Sequence, residues 1–327
     1  MKYFFILCLL STLSCSQTRT KILMGTYANI TLKDKLLFID SGFNIIKNVE
    51  NSLSTYKKES IVSRLNRYKY ARLDNYTYEA LALAKKYYKQ SDGYFNIAIG
   101  NITKNLYRFG QKFEFIPHPR LLKNSNSKFK SIVFNIFEAR LNENIKLDFG
   151  GMGKGFAVDK VKEYYLRKGV DEAIVSLSGD IVCIGYCKVK VQNPFLQDSY
   201  IFSIDTKKNI TSITTSGSYN RYIDTQKNNH LIDPKSKKAQ DIFRSITLIS
   251  LLSNADIDAY ATAASVMPKH QAVKFLNSLN VGYILITHKK EIIVSANIDD
   301  FCSLSIIDNI EKKQDRYIYD HKIKNYK

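Results

Sequence analysis

The stretch LDFGGMGKGFAVDK, residues 147–160, joins an extended segment to a helix through a loop that contains four glycines. The preceding residues alternate as two short strands around a turn at 142–144, and the following residues have helical spacing up to a stop at Gly169. The loop does not fit G-x-x-x-x-G-K-[ST], because Gly155 follows Lys154, and it does not fit G-x-G-x-x-G. Its glycines indicate either a loop that a ligand approaches closely or a plain strand-to-helix turn.

Strands and helices alternate irregularly along the rest of the chain. Apolar residues at helical spacing predict helices within 36–56, 78–93, 254–267 and 269–280. Strand patterns include 172–185, 188–194, 200–206, 212–220 and 244–252, and a final hairpin at 282–296 turns at 288–290. Antiparallel hairpins without a regular βαβ period favour an α+β fold of mixed, largely antiparallel sheets with packed helices. Because there is no linker or repeat, we expect a compact, bilobed single domain over residues 15–327.

The N-terminus reads as an export signal. Lys2 precedes an apolar run of eleven residues, 3–13, which is too short to span a bilayer but suits a signal-peptide core. Small residues then end at Cys15, a pattern similar to a bacterial lipoprotein processing site. We therefore predict a signal peptide over residues 1–14 and lipidation of Cys15, which would anchor an exported protein to a membrane on its periplasmic side. Simple secretion, with cleavage near Ser14, is the alternative.

The charge is strongly basic without being concentrated. The chain has 49 Lys and Arg residues against 30 Asp and Glu residues, a formal net charge of +19. No arginine–aromatic cluster or basic helix gathers this charge, so a lysine-rich solvated surface is favoured over a nucleic-acid interface.

Cysteine usage adds little. Besides Cys15, three cysteines remain after the leader, at 183, 187 and 302. Cys183 and Cys187 could pair in an oxidising compartment, but both lie in a strand-like run and we expect free thiols. No Cys/His spacing indicates zinc.

One helix carries a candidate metal pair. Asp258 and Thr262 stand four residues apart, so the carboxylate and the hydroxyl share a helix face. Both are hard oxygen ligands of the kind that Mg²⁺ prefers. The alternative is a helix start with acidic residues near its dipole and a threonine bonded to the preceding turn. Asp256 is a competing carboxylate on a different face.

Four further side chains could serve a site. Lys154 in the glycine loop can reach a phosphate as a point charge. His230, ahead of an Ile-Asp-Pro turn, could act as a base or bind an anion. Ser54 and Tyr56 could meet an aromatic ligand by hydrogen bonding and stacking. Each residue taken alone has an ordinary structural explanation.

Taken in order, eight blocks resemble the ApbE family, the FAD:protein FMN transferases. They are MGT, LSTYKKESIVSRLN, SDGYFN, LDFGGMGKGFAVD, IVSLSGDI, TTSGSY, HLIDP and DAYAT. The resemblance runs from Met24 to the terminal hairpin and implies a Mg²⁺-dependent enzyme with FAD as its substrate. Such an enzyme moves FMN onto a threonine or serine hydroxyl of an acceptor protein and releases AMP. Family members are typically exported, often as lipoproteins.

The resemblance also implies roles for individual residues. It implies a metal site formed by Asp258, Thr262 and the backbone carbonyl of Gly151. It implies FAD contacts from Met24, Tyr56, Tyr94, Phe95, Asn96, Asp148 and Lys154. His230 would lie beside the substrate phosphates, and we hypothesise that it is the base that activates the attacking hydroxyl, with Asp258 as its catalytic partner at the metal.

Several positions depart from the family pattern. Asn96-Ile97 replaces the usual Asp-Pro, Ser178 replaces a glycine, and Ser218 stands where an acidic residue is common. None of these touches the implied metal pair, so FAD binding is expected to persist. Two rival functions remain open: a hydrolase that splits FAD with water, and a non-catalytic flavin-binding lipoprotein.

Overall fold

The computed structural model describes residues 16–142, 144–219, 221–307, 310–313 and 316–319, the last two ranges by their backbone alone. The predicted leader and Cys15 lie outside the described residues. Within the described part of the chain, no helix combines the length and the apolar character needed to cross a membrane.

A ten-stranded sheet forms the centre of the molecule, and every strand pairing in the described residues is antiparallel. In spatial order its strands are β1 (Gln17–Leu23), β2 (Thr26–Leu32), β6 (Ala173–Leu177), β7 (Asp180–Ile184), β10 (Ile210–Gly217), β11 (Phe243–Ser250), β12 (Gly282–Thr287), β13 (Glu291–Val294), β16 (Arg316–Tyr319) and β15 (Ile310–Lys313). Two smaller sheets have the orders β14 (Cys302–Ile306), β9 (Tyr200–Thr206), β8 (Lys188–Gln192) and β3 (Tyr70–Arg72), β5 (Glu138–Leu141), β4 (Ile132–Phe134).

Seven α-helices complete the described fold. They are α1 (Ile39–Leu53), α2 (Ile61–Tyr68), α3 (Asn75–Gln90), α4 (Pro119–Asn124), α5 (Gly153–Arg167), α6 (Asn254–Val266) and α7 (Lys269–Asn277). Short 3₁₀ turns lie between them, and a π-helical turn spans Asn101–Leu106. The α+β prediction with largely antiparallel sheets is confirmed.

The central sheet is covered on both faces. Along β11 and β12 successive side chains point to opposite sides, so Leu248 and Leu285 join the main core beneath the helices. Ile249 and Ile284 join a second core against the β14–β9–β8 sheet, together with Phe202. Both faces of β11 are therefore buried, and its Ser245, Thr247 and Ser250 are buried together with its apolar residues.

Helix α6 is buried along nearly its whole length, because small residues let neighbouring elements approach it closely. Ser253 caps its start and accepts a hydrogen bond from the Asp256 N–H at 3.1 Å. Asp159 on α5 accepts from the backbone N–H groups of Asn254 and Ala255, at 2.9 and 2.7 Å. These bonds fix α6 against α5.

The predicted turn at 142–144 includes Glu143, which lies outside the described residues, and the described hairpin of this region turns earlier in the chain. Strands β4 and β5 are joined by a turn at Asn135 instead, whose side-chain oxygen accepts from the N–H groups of Phe137 and Glu138 at 2.8 and 3.0 Å. The predicted second strand is an extended segment without a strand partner. Asn66 pairs with it by accepting from Leu147 N–H at 2.6 Å and donating to Leu147 C=O at 2.9 Å.

The expectation of free thiols at 183 and 187 is wrong. The chain reverses at Gly185, which has a φ of +81°, and brings the two Cα atoms to 6.1 Å, where Cys183 and Cys187 form a disulfide. Cys302 is free and buried.

Candidate active site

A cleft of about 480 Å³ opens where several turns meet the start of α5 and one face of α6. Nine of the residues singled out from the sequence line it. They are Tyr94, Phe95, Asn96, Asp148, Gly151, Lys154, His230, Asp258 and Thr262. The structure thus brings residues that are up to 168 positions apart in the chain into one cavity.

Two predicted residues stand beside the cleft rather than in its lining. The backbone of Met24 adopts a φ of +53° and donates its N–H to the Glu50 carboxylate at 2.9 Å, while its side chain packs near Gly153. Tyr56 is 54% exposed, and its hydroxyl contacts Lys104 and Arg221, both of which line the cleft.

The predicted metal ligands converge because two helices pack unusually close. A Cβ at Gly155 would lie 2.5 Å from the carbonyl oxygen of Asn254, and one at Gly151 would lie 2.8 Å from the Thr262 methyl carbon. Only glycine permits this contact between α6 and the start of α5. It places the Gly151 carbonyl oxygen 3.1 Å from Thr262 Oγ1, with Asp258 one helical turn before Thr262.

This donor set fits Mg²⁺. Thr262 donates its hydroxyl to the Gly151 carbonyl at 3.1 Å, so the two oxygens already lie near the spacing of roughly 3 Å between neighbouring ligands of an octahedral Mg²⁺ ion. The described residues contain no group of three or more His, Cys, Asp or Glu side chains arranged to hold a metal. A site built here would therefore combine the carboxylate of Asp258 with a hydroxyl and a backbone carbonyl, and Mg²⁺ commonly completes such a set with water or phosphate oxygens.

Lys154 lies between two carboxylates. Its Nζ is 2.5 Å from Asp180 Oδ2 and 3.8 Å from Asp258 Oδ2. Burial opposes the charged ammonium, but the two carboxylates outweigh burial and hold the pKa of Lys154 well above its ordinary value. Thr214 donates to the other oxygen of Asp180 at 2.6 Å and so fixes that carboxylate.

The pKa of Asp258 is raised to about 7. Burial is the main cause, repulsion from Asp180 adds to it, and Lys154 and the Gly155 N–H, at 3.1 Å, oppose it. Two carboxylates that share one ammonium leave a net negative charge in a buried place. A divalent cation would relieve that charge.

Asp148, at the start of the glycine loop, has a different environment. It accepts from Thr103 Oγ1 at 2.6 Å and from the Gly150 N–H at 3.0 Å, and Lys104 Nζ lies at 3.5 Å. Burial raises the pKa of this carboxyl, but Lys104, Thr103 and Gly150 together lower it below its usual range.

His230 is held in one tautomer. The ring Nδ1 of His230 lies 3.1 Å from the backbone carbonyl oxygen of Arg221, and the backbone N–H of His230 donates to the same oxygen at 3.2 Å. A carbonyl only accepts, so Nδ1 must carry the proton and Nε2 is left as an acceptor. Burial is the main reason that the pKa of His230 is lowered to about 4, and the charges of Arg221 and Lys154 lower it further. The ring is neutral near pH 7.

The aromatic wall of the cleft follows α3. Tyr94 donates to the side chain of Gln271 at 2.8 Å, and Lys235 lies over its ring at 3.8 Å. The ring of Phe95 is buried edge-on against Tyr87. Asn96 caps the following 3₁₀ turn by accepting from the Ala98 N–H at 2.8 Å, so it fulfils a local structural role in place of the Asp-Pro expected from the family.

Sequence reasoning missed three charged residues of the site: Asp180, Lys104 and Arg221. Asp180 lay within a quoted block, IVSLSGDI, and its buried position could have indicated a partner for Lys154. Lys104 had no signal, because a π-helical turn brings it to the cleft. Ser178, noted as a replaced glycine, has a φ of +57°, the left-handed conformation that favours glycine.

Comparison with known proteins defines the class. A sequence profile of the ApbE family matches residues 24–285, and the chain belongs to that family. The FAD:protein FMN transferase of Buchnera aphidicola is 26% identical over 295 residues, covering 81% of this chain and 84% of the relative. The enzyme of the same name from Klebsiella pneumoniae is 25% identical over 272 residues, covering 78% and 83%.

Solved structures agree on the fold. The ApbE protein of Thermotoga maritima superposes with a TM-score of 0.80 at 20% identity, covering 88% of this chain and 99% of that one. The flavin transferase ApbE of Vibrio cholerae gives a TM-score of 0.75 at 18% identity over the same shares.

Proposed function

We propose that this protein is an FAD:protein FMN transferase, which moves the FMN moiety of FAD onto a threonine or serine hydroxyl of an acceptor protein and releases AMP. Family membership and the names of its relatives support the transferase class. Mg²⁺ dependence, the acceptor hydroxyl and the release of AMP are the finer parts of the proposal.

The observation that carries the proposal is His230. A buried, neutral imidazole with Nδ1–H donated to a carbonyl presents Nε2 as a base. It shares the cleft with Lys154, Asp258 and Thr262, the residues suited to an anionic diphosphate. A cleft that only held a flavin would not need a free base beside such a set.

The reaction follows from this arrangement. His230 Nε2 accepts the proton of the acceptor hydroxyl as its oxygen forms a bond to the FMN-side phosphorus of FAD. The phosphorus–oxygen bond to the AMP half breaks, AMP leaves with the bridging oxygen, and the imidazolium gives up its proton afterwards. The product is a phosphodiester, and the flavin undergoes no redox change.

Charge around the phosphates is the second requirement. When bound by Asp258, Thr262 and the Gly151 carbonyl, Mg²⁺ would neutralise phosphate charge and orient the diphosphate. Lys154 holds Asp180 and Asp258 in place, and Asp258 together with His230 would form the catalytic pair. Met24, Tyr56, Tyr94, Phe95, Asn96 and Asp148 are proposed to contact FAD.

We also propose that the protein is exported and anchored to a membrane through lipidated Cys15, facing the periplasm. The Cys183–Cys187 disulfide supports export, since such bonds persist in oxidising compartments. A nucleic-acid partner is not proposed. The signal and anchor can be tested by mass spectrometry of the mature N-terminus, where an unmodified residue other than Cys15 would contradict lipidation.

The rival hydrolase is separated from the transferase by the fate of the flavin. Purified protein is incubated with FAD, Mg²⁺ and a candidate acceptor peptide, and AMP is quantified beside flavin fluorescence on the peptide. The proposal expects both in equal amounts. AMP without flavin on any acceptor would support FAD hydrolysis instead.

A variant pair tests the role of the base. His230→Gln should abolish transfer and keep FAD affinity within about threefold, since a neutral amide replaces a neutral imidazole. His288→Gln is the matched control, because His288 pairs with Asp241 at 3.1 Å away from the cleft and should leave transfer unchanged. Equal activity in both variants would exclude His230 as the base.

The non-catalytic flavin-binding reading makes a different prediction. On that reading the wild type shows no turnover of FAD, and Asp258→Ala binds FAD as tightly as the wild type does. The transferase proposal expects measurable Mg²⁺-dependent turnover in the wild type and its loss in Asp258→Ala.

A further inference from the structure

We propose that Arg221 and Lys104 form a second anion-binding subsite in the cleft, which takes phosphate oxygens of the dinucleotide diphosphate. The identity of the dinucleotide as FAD rests on the proposed function. The subsite itself follows from how charge is distributed around the cavity.

The positive charge of Lys154 is already compensated. This ammonium has two carboxylate neighbours, Asp180 at 2.5 Å and Asp258 at 3.8 Å, so the three groups together carry a net negative charge when both carboxylates are ionised. A diphosphate would be repelled from that side of the protein in the absence of a cation. Lys154 therefore cannot by itself explain how the cleft attracts an anionic substrate.

A second group of charges in the lining of the same cleft carries an excess of positive charge. Lys104 Nζ lies 2.7 Å from the Tyr56 hydroxyl oxygen, and Arg221 Nη2 lies 3.0 Å from the same atom. Two cations thus converge on one neutral oxygen. Asp148, 3.5 Å from Lys104, is the one carboxylate within ion-pair distance of this pair in the described part of the chain.

The two cations are held in place by neighbouring groups. Tyr56 donates its hydroxyl to the carbonyl oxygen of Phe109 at 2.9 Å, and the ring of Phe109 lies 5.9 Å from the Arg221 guanidinium. Lys104 lies 4.4 Å from the centre of the Tyr56 ring, and 13% of its side chain is exposed. The Tyr56 hydroxyl fixes both cations without neutralising either.

A π-helical turn makes the arrangement possible. Thr103 and Lys104 are consecutive, yet both reach Asp148, Thr103 by a hydrogen bond and Lys104 by its charge. The turn over Asn101–Leu106 is wider than an α-helical one, and such turns often occur at functional sites. It directs Lys104 into the cleft.

Charge balance identifies the ligand class. Arg221, Lys104 and Asp148 sum to one positive charge on a wall that also holds His230, whose base would face the reacting phosphorus. A guanidinium presents planar paired donors that match phosphate oxygens. The subsite is therefore suited to the diphosphate, and riboflavin, which has no phosphate, should not use it.

The test compares FAD and riboflavin binding by wild-type protein and Arg221→Gln, measured by fluorescence titration with EDTA present. Gln keeps the backbone carbonyl that holds His230. A lost charged hydrogen bond predicts about 10- to 100-fold weaker FAD binding, with riboflavin affinity changed less than about threefold. Arg221→Lys should recover part of the loss. The control is Lys188→Gln, a charge removal on β8 at a side chain that is 64% exposed, which should change neither affinity.

Each outcome decides the proposal. Unchanged FAD affinity in Arg221→Gln, or an equal loss for FAD and riboflavin, would overturn the subsite, and circular dichroism excludes misfolding as the cause. A wild type that binds FAD through Arg221 but labels no acceptor would refute the transferase function and leave the subsite intact. If Arg221→Gln binds FAD normally while the wild type transfers FMN, the subsite is refuted and the transferase function stands.

Discussion

Replacing Asp258 by asparagine should stabilise the metal-free protein at pH 8, although Asp258 is a buried, hydrogen-bonded residue. Asp258 is 4% exposed and shares Lys154 with Asp180. Asparagine has nearly the same shape, and its carbonyl oxygen can still accept from the Gly155 N–H. The substitution therefore removes a repelled charge without opening a cavity.

The magnitude follows from the pKa. Asp258 has a pKa of about 7 in the folded protein against an ordinary value of 3.8. The folded state thus holds this proton more tightly than the unfolded state, so the contribution of Asp258 to stability is greatest below pH 4 and is lost as the pH rises towards 7. The full difference corresponds to roughly 4 kcal/mol at pH 8 as an upper limit. Relaxation and water around the charges reduce it, and we expect about 1–2 kcal/mol.

Urea unfolding at pH 4.5 and pH 8, each with EDTA or with Mg²⁺, measures the effect. The stability gain of Asp258→Asn should be clearly larger at pH 8 than at pH 4.5, because at pH 4.5 the folded protein keeps this carboxyl protonated. Mg²⁺ at 100 times its dissociation constant should stabilise the wild type by about 2.7 kcal/mol and leave Asp258→Asn unchanged. Asp256→Asn, on the same helix as Asp258, is the control: it breaks an ion pair with Lys86 of α3 at 2.7 Å and should keep the response to Mg²⁺.

Two results would refute this reasoning. The first is a loss of stability in metal-free Asp258→Asn of the same size at both pH values, which would mean that the charge is not strained. The second is an undiminished stabilisation of Asp258→Asn by Mg²⁺, which would place the cation elsewhere.

Three further predictions concern packing, redox state and pH. Gly155→Ala should lower the free energy of unfolding by at least about 2 kcal/mol and weaken Mg²⁺ binding, because its Cβ would lie 2.5 Å from a backbone carbonyl oxygen. Gly153→Ala, whose Cβ would have its nearest neighbour at 3.6 Å, should be nearly neutral. Thermal unfolding compares the two variants, and equal destabilisation would contradict the close contact at Gly155. Replacing both Cys183 and Cys187 by serine should lower the free energy of unfolding by about 2 kcal/mol, because the unfolded chain regains the entropy of the closed loop. Urea unfolding measures this difference. If a reductant leaves the stability of the wild type unchanged, the disulfide is contradicted. His230 should stabilise the folded state above pH 6.5 and lose that contribution as the pH falls to about 4, because the imidazole is protonated more readily in the unfolded state than in the folded state. His230→Gln should therefore flatten this part of the pH–stability curve. An unchanged curve would contradict the lowered pKa of His230.

The parts of the fold predicted from sequence are those that local pattern controls. Helical spacing located α1, α3, α5, α6 and α7, and the terminal hairpin turns where expected, with Lys290 at a φ of +65°. The hairpin turn at Asn135 shows the limit. Asn135 and the asparagines at 142 and 144 are equally good turn residues, so the sequence pattern alone does not choose between them.

The site divides in the same way. The spacing of Asp258 and Thr262 could be read directly, because one helix determines it. The pairing of Lys154 with Asp180 could not, since it joins α5 to the start of β7 across 26 residues. The position of Lys104 in the cleft could not be predicted, because it depends on the π-helical turn over Asn101–Leu106 and an α-helical turn there would direct the side chain elsewhere. Contacts between elements, rather than residue types, supply the missing information.

The chain order of the cleft has a consequence for synthesis. Its parts come from the turn after β1, at Gly25, to Thr262 on α6, and β2 at one side of the central sheet pairs with β6 far along the chain. About four fifths of the polypeptide must therefore be synthesised before a complete binding site can exist. Nascent chains, and chains truncated before α6, will not bind flavin. Flavin binding will therefore indicate that folding is complete.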